Sequence, residues 1–190
     1  MFVICSLLSS KKDIAALVPV KNLTAELLKD LTLSVISTVE KAGYKVVCII
    51  CDNNRVNGNM FAMLCGGTMQ SSVTHPFDAS RELYFLFDSV HLMKCIRNNW
   101  IYQKDSAQTL RFPDLQSPTV ICTAQFKSLK DLHDSEKSNL LKLAPSLSQK
   151  ALTPSNTERQ SVPLMLRIFN EKVVTTLMIL VHSSLLILRQ

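Results

Sequence analysis

Glycine is scarce in this sequence, with four residues among 190. No Walker-type phosphate loop and no dinucleotide-binding glycine fingerprint is present, which removes two common nucleotide-binding classes. Charged residues are also few, at 19%, whereas 47% of the residues are hydrophobic. Disordered chains have the opposite balance. The composition therefore predicts a packed globular protein of one ordinary domain, or of one small domain and part of another.

The two apolar ends of the sequence have neither the pattern of a secretory signal nor the usual length of a membrane span. Residues 1–8 are apolar but have no basic region before them, and Lys11 and Lys12 soon interrupt the run. The apolar stretch 173–188 falls short of the roughly 20 residues that span a bilayer, and it contains His182. We expect a strand at the first segment and a buried helix at the second, with a membrane anchor as the less favoured alternative. No membrane partner is expected.

The charged residues form no dense basic run. The 21 Lys and Arg residues outnumber the 15 Asp and Glu residues, for a formal charge of +6. This balance favours a polyanionic partner such as nucleic acid, whereas the scattered positions are typical of an ordinary solvated surface. The six cysteines lie mostly in apolar stretches, where a free thiol behaves as a small hydrophobic group, and they indicate a reducing compartment.

Cys48 and Cys51 have the spacing of half a zinc or redox motif. On a strand, however, residues three apart point to opposite faces, so the two thiols cannot share one metal ion. No second pair of this kind follows, and the four histidines are dispersed. A core role for both cysteines is therefore favoured over a metal or redox site.

The first half of the sequence has the pattern of a mixed α/β fold. Apolar segments 2–8 and 14–20 predict two strands joined as a hairpin. Thr24 can cap the helix that follows, whose apolar residues recur at helical spacing. Gly43 is a natural carboxyl-terminal stop for that helix.

Two further apolar runs, 44–51 and 83–87, predict strands that are buried on both faces. Between them, residues 58–64 predict a short helix and residues 66–72 a loop. A further helix is expected from residue 91 to about residue 103. We expect the two strands to lie side by side in one sheet.

Beyond the first 104 residues the pattern changes. The polar stretch 105–125 contains Pro113 and Pro118 and is predicted to mark a boundary. No strand-like run as long as 44–51 or 83–87 is expected in it or after it. Helices are predicted at 126–133 and 136–143, and a long helix is predicted from about Pro163.

Each of the two buried strands is followed by an aspartate, Asp52 or Asp88. Open α/β sheets place ligand-binding and catalytic groups at the carboxyl ends of their strands. Clustered carboxylates there can hold Mg²⁺ or Mn²⁺, and phosphodiester chemistry commonly uses two such ions. The alternative is that each aspartate only caps the following turn or helix. Position alone leaves both interpretations open.

Three basic residues, Lys94, Arg97 and Lys104, recur at roughly helical spacing. Such a face could contact phosphate groups. A solvated basic face, with Trp100 in the core on another side, explains the pattern equally well.

One motif carries a resemblance to a known family. Residues 87–98 follow the pattern Phe-Asp-x-x-His-Leu-x-Lys-x-x-Arg-Asn, and residues 74–76 are Thr-His-Pro. With Asn57 five positions after Asp52, these residues resemble P-element transposases and their THAP-domain relatives. Residues 140–145 and 162–169 are similar to the opening of that family's GTP-binding insertion domain.

The resemblance implies an incomplete RNase H-like mixed sheet over residues 1–110, followed by an α-helical segment over 111–190 that begins the insertion domain. It implies that Asp52 is a catalytic residue and a ligand of Mg²⁺ or Mn²⁺. The strand with the family's first catalytic aspartate is expected before Met1, and the helix with its glutamate beyond the last residue. Two of the three catalytic carboxylates are then missing. Asp88 is expected to shape the strand-to-helix turn.

The family also implies partners and a location for the full-length protein. These are DNA at transposon ends, GTP, a homo-oligomeric assembly and the nucleus. The family's amino-terminal zinc-binding module is not represented in the chain. Two positions depart from the family pattern: Asn54 stands where relatives often carry glycine, and Val90 stands where they often carry proline. We expect these changes to alter the loop after Asp52 and the turn before His91.

Three functional hypotheses follow. The first is a transposon-derived fragment whose ancestral activity was metal-dependent DNA cleavage and strand transfer, inactive on its own. The second is a non-catalytic product, co-opted to bind DNA or another protein. A third, which sets the family aside, is a small nucleotide-binding α/β domain that uses the carboxyl ends of its strands.

Overall fold

The computed structural model describes the backbone of residues 1–187 and the side chains of residues 1–179. Its contacts divide the chain into two compact units, Met1–His91 and Leu92–Gln190. This division lies within the first turn of a helix and reflects packing alone. The boundary near residue 110, which concerns the extent of family domains, stays a prediction.

The first unit contains two sheets. Strands β1 (Phe2–Cys5) and β2 (Lys12–Ala16) form the antiparallel hairpin that the sequence predicts. Strands β3 (Cys48–Cys51), β4 (Ser72–His75) and β5 (Asp78–Phe87) form a mixed sheet of order β3-β5-β4. Strand β3 runs parallel to β5, and β4 runs antiparallel to it. The expectation that the strands before Asp52 and Asp88 are neighbours is confirmed.

Two helices pack against the mixed sheet. Helix α1 (Ala25–Lys41) begins where expected, because the Thr24 hydroxyl accepts the Leu27 N–H at 3.2 Å. It ends before Gly43, whose φ of 93° is a conformation that glycine adopts without strain. Helix α2 (Arg55–Leu64) includes the predicted segment 58–64. The core between helices and sheet consists of Ala25, Ile36, Met60, Phe61, Leu83 and Phe85.

The opposite face of this sheet is open in the part of the chain that the structure describes. Ile50 is 61% exposed, and Tyr84 and Leu86 are about half exposed. The prediction that β3 and β5 are buried on both faces is therefore wrong. The prediction failed because an unbroken apolar run does not distinguish a strand buried on both faces from a strand with one buried face and one exposed apolar face.

The strand after Gly43 is shorter than predicted, because residues 44–47 lie outside β3. Val46 donates its N–H to Glu40 and accepts from Arg81 at its carbonyl, so side chains replace a ladder partner there. Strand β4 was not predicted. Its first residue lies in the predicted loop 66–72, and no strand was expected immediately after it. Pairing with β5 supplies the hydrogen bonds that make this segment a strand.

The second unit opens with most of helix α3 (Ser89–Ile101), which confirms the helix expected from residue 91. Strands β6 (Thr109–Pro113) and β7 (Ile121–Gln125) then form an antiparallel hairpin. The prediction that residues 105–125 contain no strand-like run is wrong, whereas the boundary in this stretch stays a prediction. A residue outside the hairpin stabilises it, because the Trp100 indole N–H donates to the Ala124 carbonyl at 3.0 Å.

The remaining described elements are helical. They are α4 (Phe126–Ser135), α5 (Gln149–Leu152), the 3-10 turn Glu158–Gln160, α6 (Val162–Ile168) and α7 (Glu171–Ile187). Their core includes Trp100, Phe126, Leu129, Leu132, Leu147, Leu152, Ile168 and Val173. No helix in the described part of the chain combines the length and apolarity needed to cross a membrane.

Two helix predictions in this unit require correction. The helix predicted over 136–143 does not form, because the Glu136 carboxylate accepts the N–H groups of Leu143 and Ala144 and folds the segment back. The long helix from Pro163 begins as expected but breaks after Ile168. The Asn170 side chain then accepts the Lys172 N–H at 3.0 Å and starts α7 anew.

Most of the predicted apolar tail helix lies in α7. Val173 is buried, whereas residue 188 and the side chains beyond residue 179 lie outside the described residues.

Candidate functional site

Asp52 and Asp88 follow neighbouring parallel strands. Cys51 is paired in register with Phe87, and the Asp88 N–H donates to the Cys51 carbonyl at 2.8 Å. The two aspartates therefore occupy matching positions at one edge of the sheet. Both are exposed to solvent. The structure thus places the two aspartates that the sequence singled out at the ends of neighbouring strands.

Asp52 is held by the turn that leads into α2. Its Oδ1 accepts from the Asn54 amide at 2.7 Å and from the Asn57 amide, which also donates to the Asp52 carbonyl at 3.0 Å. Asn54 itself caps α2, since its side chain accepts the Asn57 N–H at 2.9 Å. One carboxylate oxygen is therefore fixed by amide donors, and Oδ2 has no hydrogen-bond partner among the described residues.

The departure at Asn54 now has a structural role. Glycine at this position would supply neither the cap nor the hydrogen bond to Asp52. Because Asn54 fixes one face of the carboxylate, a cation would approach Asp52 through Oδ2. The sequence signal for the cap was Asn54 itself, because asparagine is a preferred residue at the start of a helix.

Asp88 caps the next helix. Its Oδ1 accepts the Val90 N–H at 2.9 Å, which satisfies one of the free donors at the start of α3. This contact supports a role for Asp88 in the strand-to-helix turn.

Asp52 and Asp88 have the chemistry of ligands for a hard cation. Two carboxylates, however, make up only part of a metal-binding site. Mg²⁺ and Mn²⁺ prefer carboxylate oxygens, and Asp52 and Asp88 supply them at one sheet edge. No group of three or more His, Cys, Asp or Glu residues suited to a metal ion occurs among the described residues. Asp52 would hold the ion. A bound Mg²⁺ or Mn²⁺ would polarise a phosphodiester and activate water.

A polar network that the sequence did not reveal lies at the other end of this unit. Arg81 donates to Glu40 at 2.6 Å, to Asp78 at 2.8 Å and to the Val46 carbonyl at 2.7 Å. Glu40 in turn accepts the Val46 N–H at 2.6 Å. The network joins α1, the segment before β3 and the start of β5. Its members are up to 41 positions apart, so no local motif announces it.

His75, from the Thr-His-Pro motif, is buried beside this network. Its Nδ1 accepts the Phe77 N–H at 3.2 Å, so the proton of the neutral ring is on Nε2. Nε2 lies 3.4 Å from a Glu40 oxygen without hydrogen-bond geometry. Burial, and then the positive charge of Arg81, hold the pKa of His75 below its ordinary value against the pull of Glu40.

Glu40 is kept ionised by the same contacts. Burial acts to raise the pKa of Glu40, but the hydrogen bonds from Arg81 and the Val46 N–H outweigh it and hold that pKa below its usual range. The network is therefore a neutral histidine beside a carboxylate and a guanidinium that satisfy each other. We interpret it as a structural clamp.

The cysteines before Asp52 are poor metal ligands as they stand. Burial, together with the Asp52 charge, raises the pKa of Cys51 to about 11, and burial raises the pKa of Cys48. Thiolates, not thiols, bind metal ions and act in redox exchange. Both thiols are free and partly buried, which supports their interpretation as core residues.

The basic helix face is not as predicted. Arg97 is 0% exposed, whereas both interpretations of this face placed it at the surface. Its spacing of three from Trp100 puts both side chains on the inward face of α3. Lys94 is half-buried, and Lys104 lies beyond the end of the helix. The expectation that Trp100 lies in the core is confirmed.

Comparisons with known proteins locate a similar fold. No protein-family model matches the chain, and a comparison with curated proteins finds no match. Among solved structures, the chain is similar to the Drosophila P element transposase strand transfer complex, with a TM-score of 0.67 and 18% sequence identity. The match covers 91% of this chain and 36% of that one, so the chain spans about a third of the transposase. The protein has a mixed α/β fold similar to that of a transposase, consistent with an incomplete RNase H-like fold.

Proposed function

We propose that the chain is part of a P-element-type DNA transposase, whose ancestral activity is metal-dependent cleavage and strand transfer of DNA. The observation that supports this most is the pair of parallel strands that bring Asp52 and Asp88 to one sheet edge within a transposase-like fold. Asp52 is the proposed ligand of Mg²⁺ or Mn²⁺. Asp88 serves as the cap of α3.

The remaining parts of the proposal rest on the sequence resemblance. They are DNA at transposon ends as partner, GTP as a ligand of the insertion domain that begins after residue 110, a THAP-related origin, a homo-oligomeric assembly and a nuclear location. The similar solved structure is a strand transfer complex, which supports the DNA partner.

The 190-residue chain is proposed to be inactive alone. In-line displacement at phosphorus uses two ions clamped by several carboxylates, and Asp52 is the one member of the family's set that the resemblance matches here. A chimera that adds the first-aspartate strand and the glutamate helix of the P element transposase would supply the other carboxylates.

Cleavage assays test the proposal. An oligonucleotide carrying transposon-end DNA is incubated with Mn²⁺ and the 190-residue chain, the chimera, or variants of each. We expect no cleavage by the 190-residue chain, and cleavage by the chimera that Asp52→Asn abolishes. Asp30→Asn, which changes an exposed carboxylate on α1, is the matched control and should leave cleavage intact. Cleavage by the 190-residue chain that is lost in both Asp52→Asn and Asp88→Asn would contradict the proposal.

A second candidate function is a non-catalytic interaction module that binds DNA or a protein. The bare face of the mixed sheet favours it, because Ile50, Tyr84 and Leu86 present apolar surface to solvent. An inactive chimera that still binds transposon-end DNA would favour this candidate.

A further inference from the structure

Arg97 is a buried cation without an acidic partner among the side chains that the structure describes. It is 0% exposed. Its Nε donates to the Asn98 side chain at 3.0 Å, and one Nη donates to the Arg159 carbonyl. The other, Nη1, has no hydrogen-bond partner in the part of the chain that the structure describes. No carboxylate of the described residues lies within ion-pair distance of this guanidinium.

A second arginine, Arg159, contacts Arg97 through its backbone carbonyl. Arg159, in the 3-10 turn Glu158–Gln160, lies over the ring of Tyr102 at 4.4 Å from its centroid. The adjacent acid, Glu158, accepts the Ser155 N–H at 2.9 Å and lies 3.7 Å from Lys150. It is therefore engaged elsewhere. The positive charge of Arg159 adds to burial in holding the pKa of Arg97 below its ordinary value.

Such an arrangement is unfavourable unless a negative charge completes it. A buried cation is stabilised only when an ionic partner and hydrogen bonds replace its lost hydration. Carbonyl and amide oxygens satisfy part of this requirement for Arg97 and leave one donor unused. Guanidinium groups match the oxygens of a phosphate group in planar, two-pronged hydrogen bonds.

We propose that Arg97 and Arg159 form a binding site for a phosphate group. Nη1 of Arg97 supplies the free donor. Arg159 supplies its guanidinium when it rotates away from the exposed ring of Tyr102, and the 3-10 turn that Arg97 holds through one hydrogen bond opens to admit the ligand. The site lies entirely within the second unit and does not depend on Asp52 or on the transposase proposal.

Pyrophosphate binding to the 190-residue chain tests this site. Affinity is measured by isothermal titration calorimetry at constant ionic strength, set with sodium chloride. We expect Arg97→Lys and Arg159→Met each to weaken binding by about tenfold or more, because each loses charge-assisted hydrogen bonds to the ligand. Arg97→Lys keeps the positive charge, and Arg159→Met keeps the backbone carbonyl that accepts from Arg97. Circular dichroism of each variant checks that it is folded.

Arg111→Met is the matched control. Arg111 is an exposed arginine on β6 of the same unit, so its replacement removes the same charge from the surface. We expect it to change pyrophosphate affinity by less than about twofold, as for a screened surface charge. No binding by the wild type, or equal weakening in all three variants, would overturn the proposal.

A second arm identifies the source of the phosphate. A short DNA duplex replaces pyrophosphate under the same conditions. Tighter binding of the duplex that Arg97→Lys weakens and Arg111→Met leaves unchanged assigns the site to a nucleic-acid backbone. Tighter binding of pyrophosphate with the same dependence assigns it to a free phosphate or nucleotide.

Discussion

The two units of this protein differ in the partners of their most buried arginines. In the first, Arg81 and Glu40 satisfy each other, and the neutral His75 packs beside them. In the second, Arg97 is buried deeper, and its hydrogen-bond partners among the described residues are a carbonyl and an amide oxygen. A buried cation paired with a carboxylate has a structural role, whereas a buried cation with no carboxylate partner and an unused donor points to a ligand. The contrast can be tested by removing one member of each cluster.

The largest effect is expected from Glu40→Ala in the closed network. The change removes the acceptor of the Val46 N–H and one of the two carboxylates that pair with Arg81, so we expect a loss of about 2–4 kcal/mol in the free energy of unfolding. Urea denaturation followed by circular dichroism measures it. Glu82→Ala, at an exposed position of β5, is the control and should stay within about 0.5 kcal/mol of the wild type. A similar small effect for Glu40→Ala would remove the distinction between the two clusters.

The next effect concerns His75 and pH. Its pKa is lower in the folded chain than its unfolded value of about 6.5, so the unfolded state binds the proton more readily. The stabilisation is complete above about pH 6.5 and is lost as the pH falls below that value, by at most about 1.4 kcal/mol per pH unit. Melting temperatures of the wild type and His75→Gln, measured between pH 7.5 and about pH 5, isolate this contribution from the other histidines. Parallel curves for the two proteins would contradict the assignment.

The smallest effect is expected in the open cluster. Replacing Arg97 with the apolar Met, in chloride buffer without phosphate, removes an uncompensated buried charge and should leave stability unchanged or raise it by about 1 kcal/mol. Chemical denaturation measures the difference. A loss as large as that of Glu40→Ala would show that Arg97 is already satisfied in the protein and that the two units do not differ.

Local patterns predicted the elements that stabilise themselves through neighbouring residues. Helix α1 follows from its Thr24 cap, its apolar spacing and the Gly43 stop, all of which act within a few residues. The parallel pair β3 and β5 follows from two apolar strands, each ending in an aspartate. Because residues that end parallel neighbours meet at one edge, the candidate site at Asp52 and Asp88 was accessible from the sequence.

Partners distant in sequence decided the elements that local patterns missed. Strand β4 and strands β6 and β7 lack an unbroken apolar run, and they are strands because each pairs with a neighbouring strand. The segment after Glu136 is not helical because that carboxylate captures two backbone N–H groups seven and eight residues away. Propensity is a weak preference that such contacts override.

The sequence by itself determined the α/β class, the capped helices and the two aspartates at the strand ends, since each depends on spacing within one element or on the alternation of a strand. Only the tertiary structure decided which charges are buried and with whom. Arg81 meets Glu40 across 41 positions, and Arg97 meets the Arg159 carbonyl across 62. The energy of a buried charge depends on the partners that folding brings to it, and these are set by the whole chain.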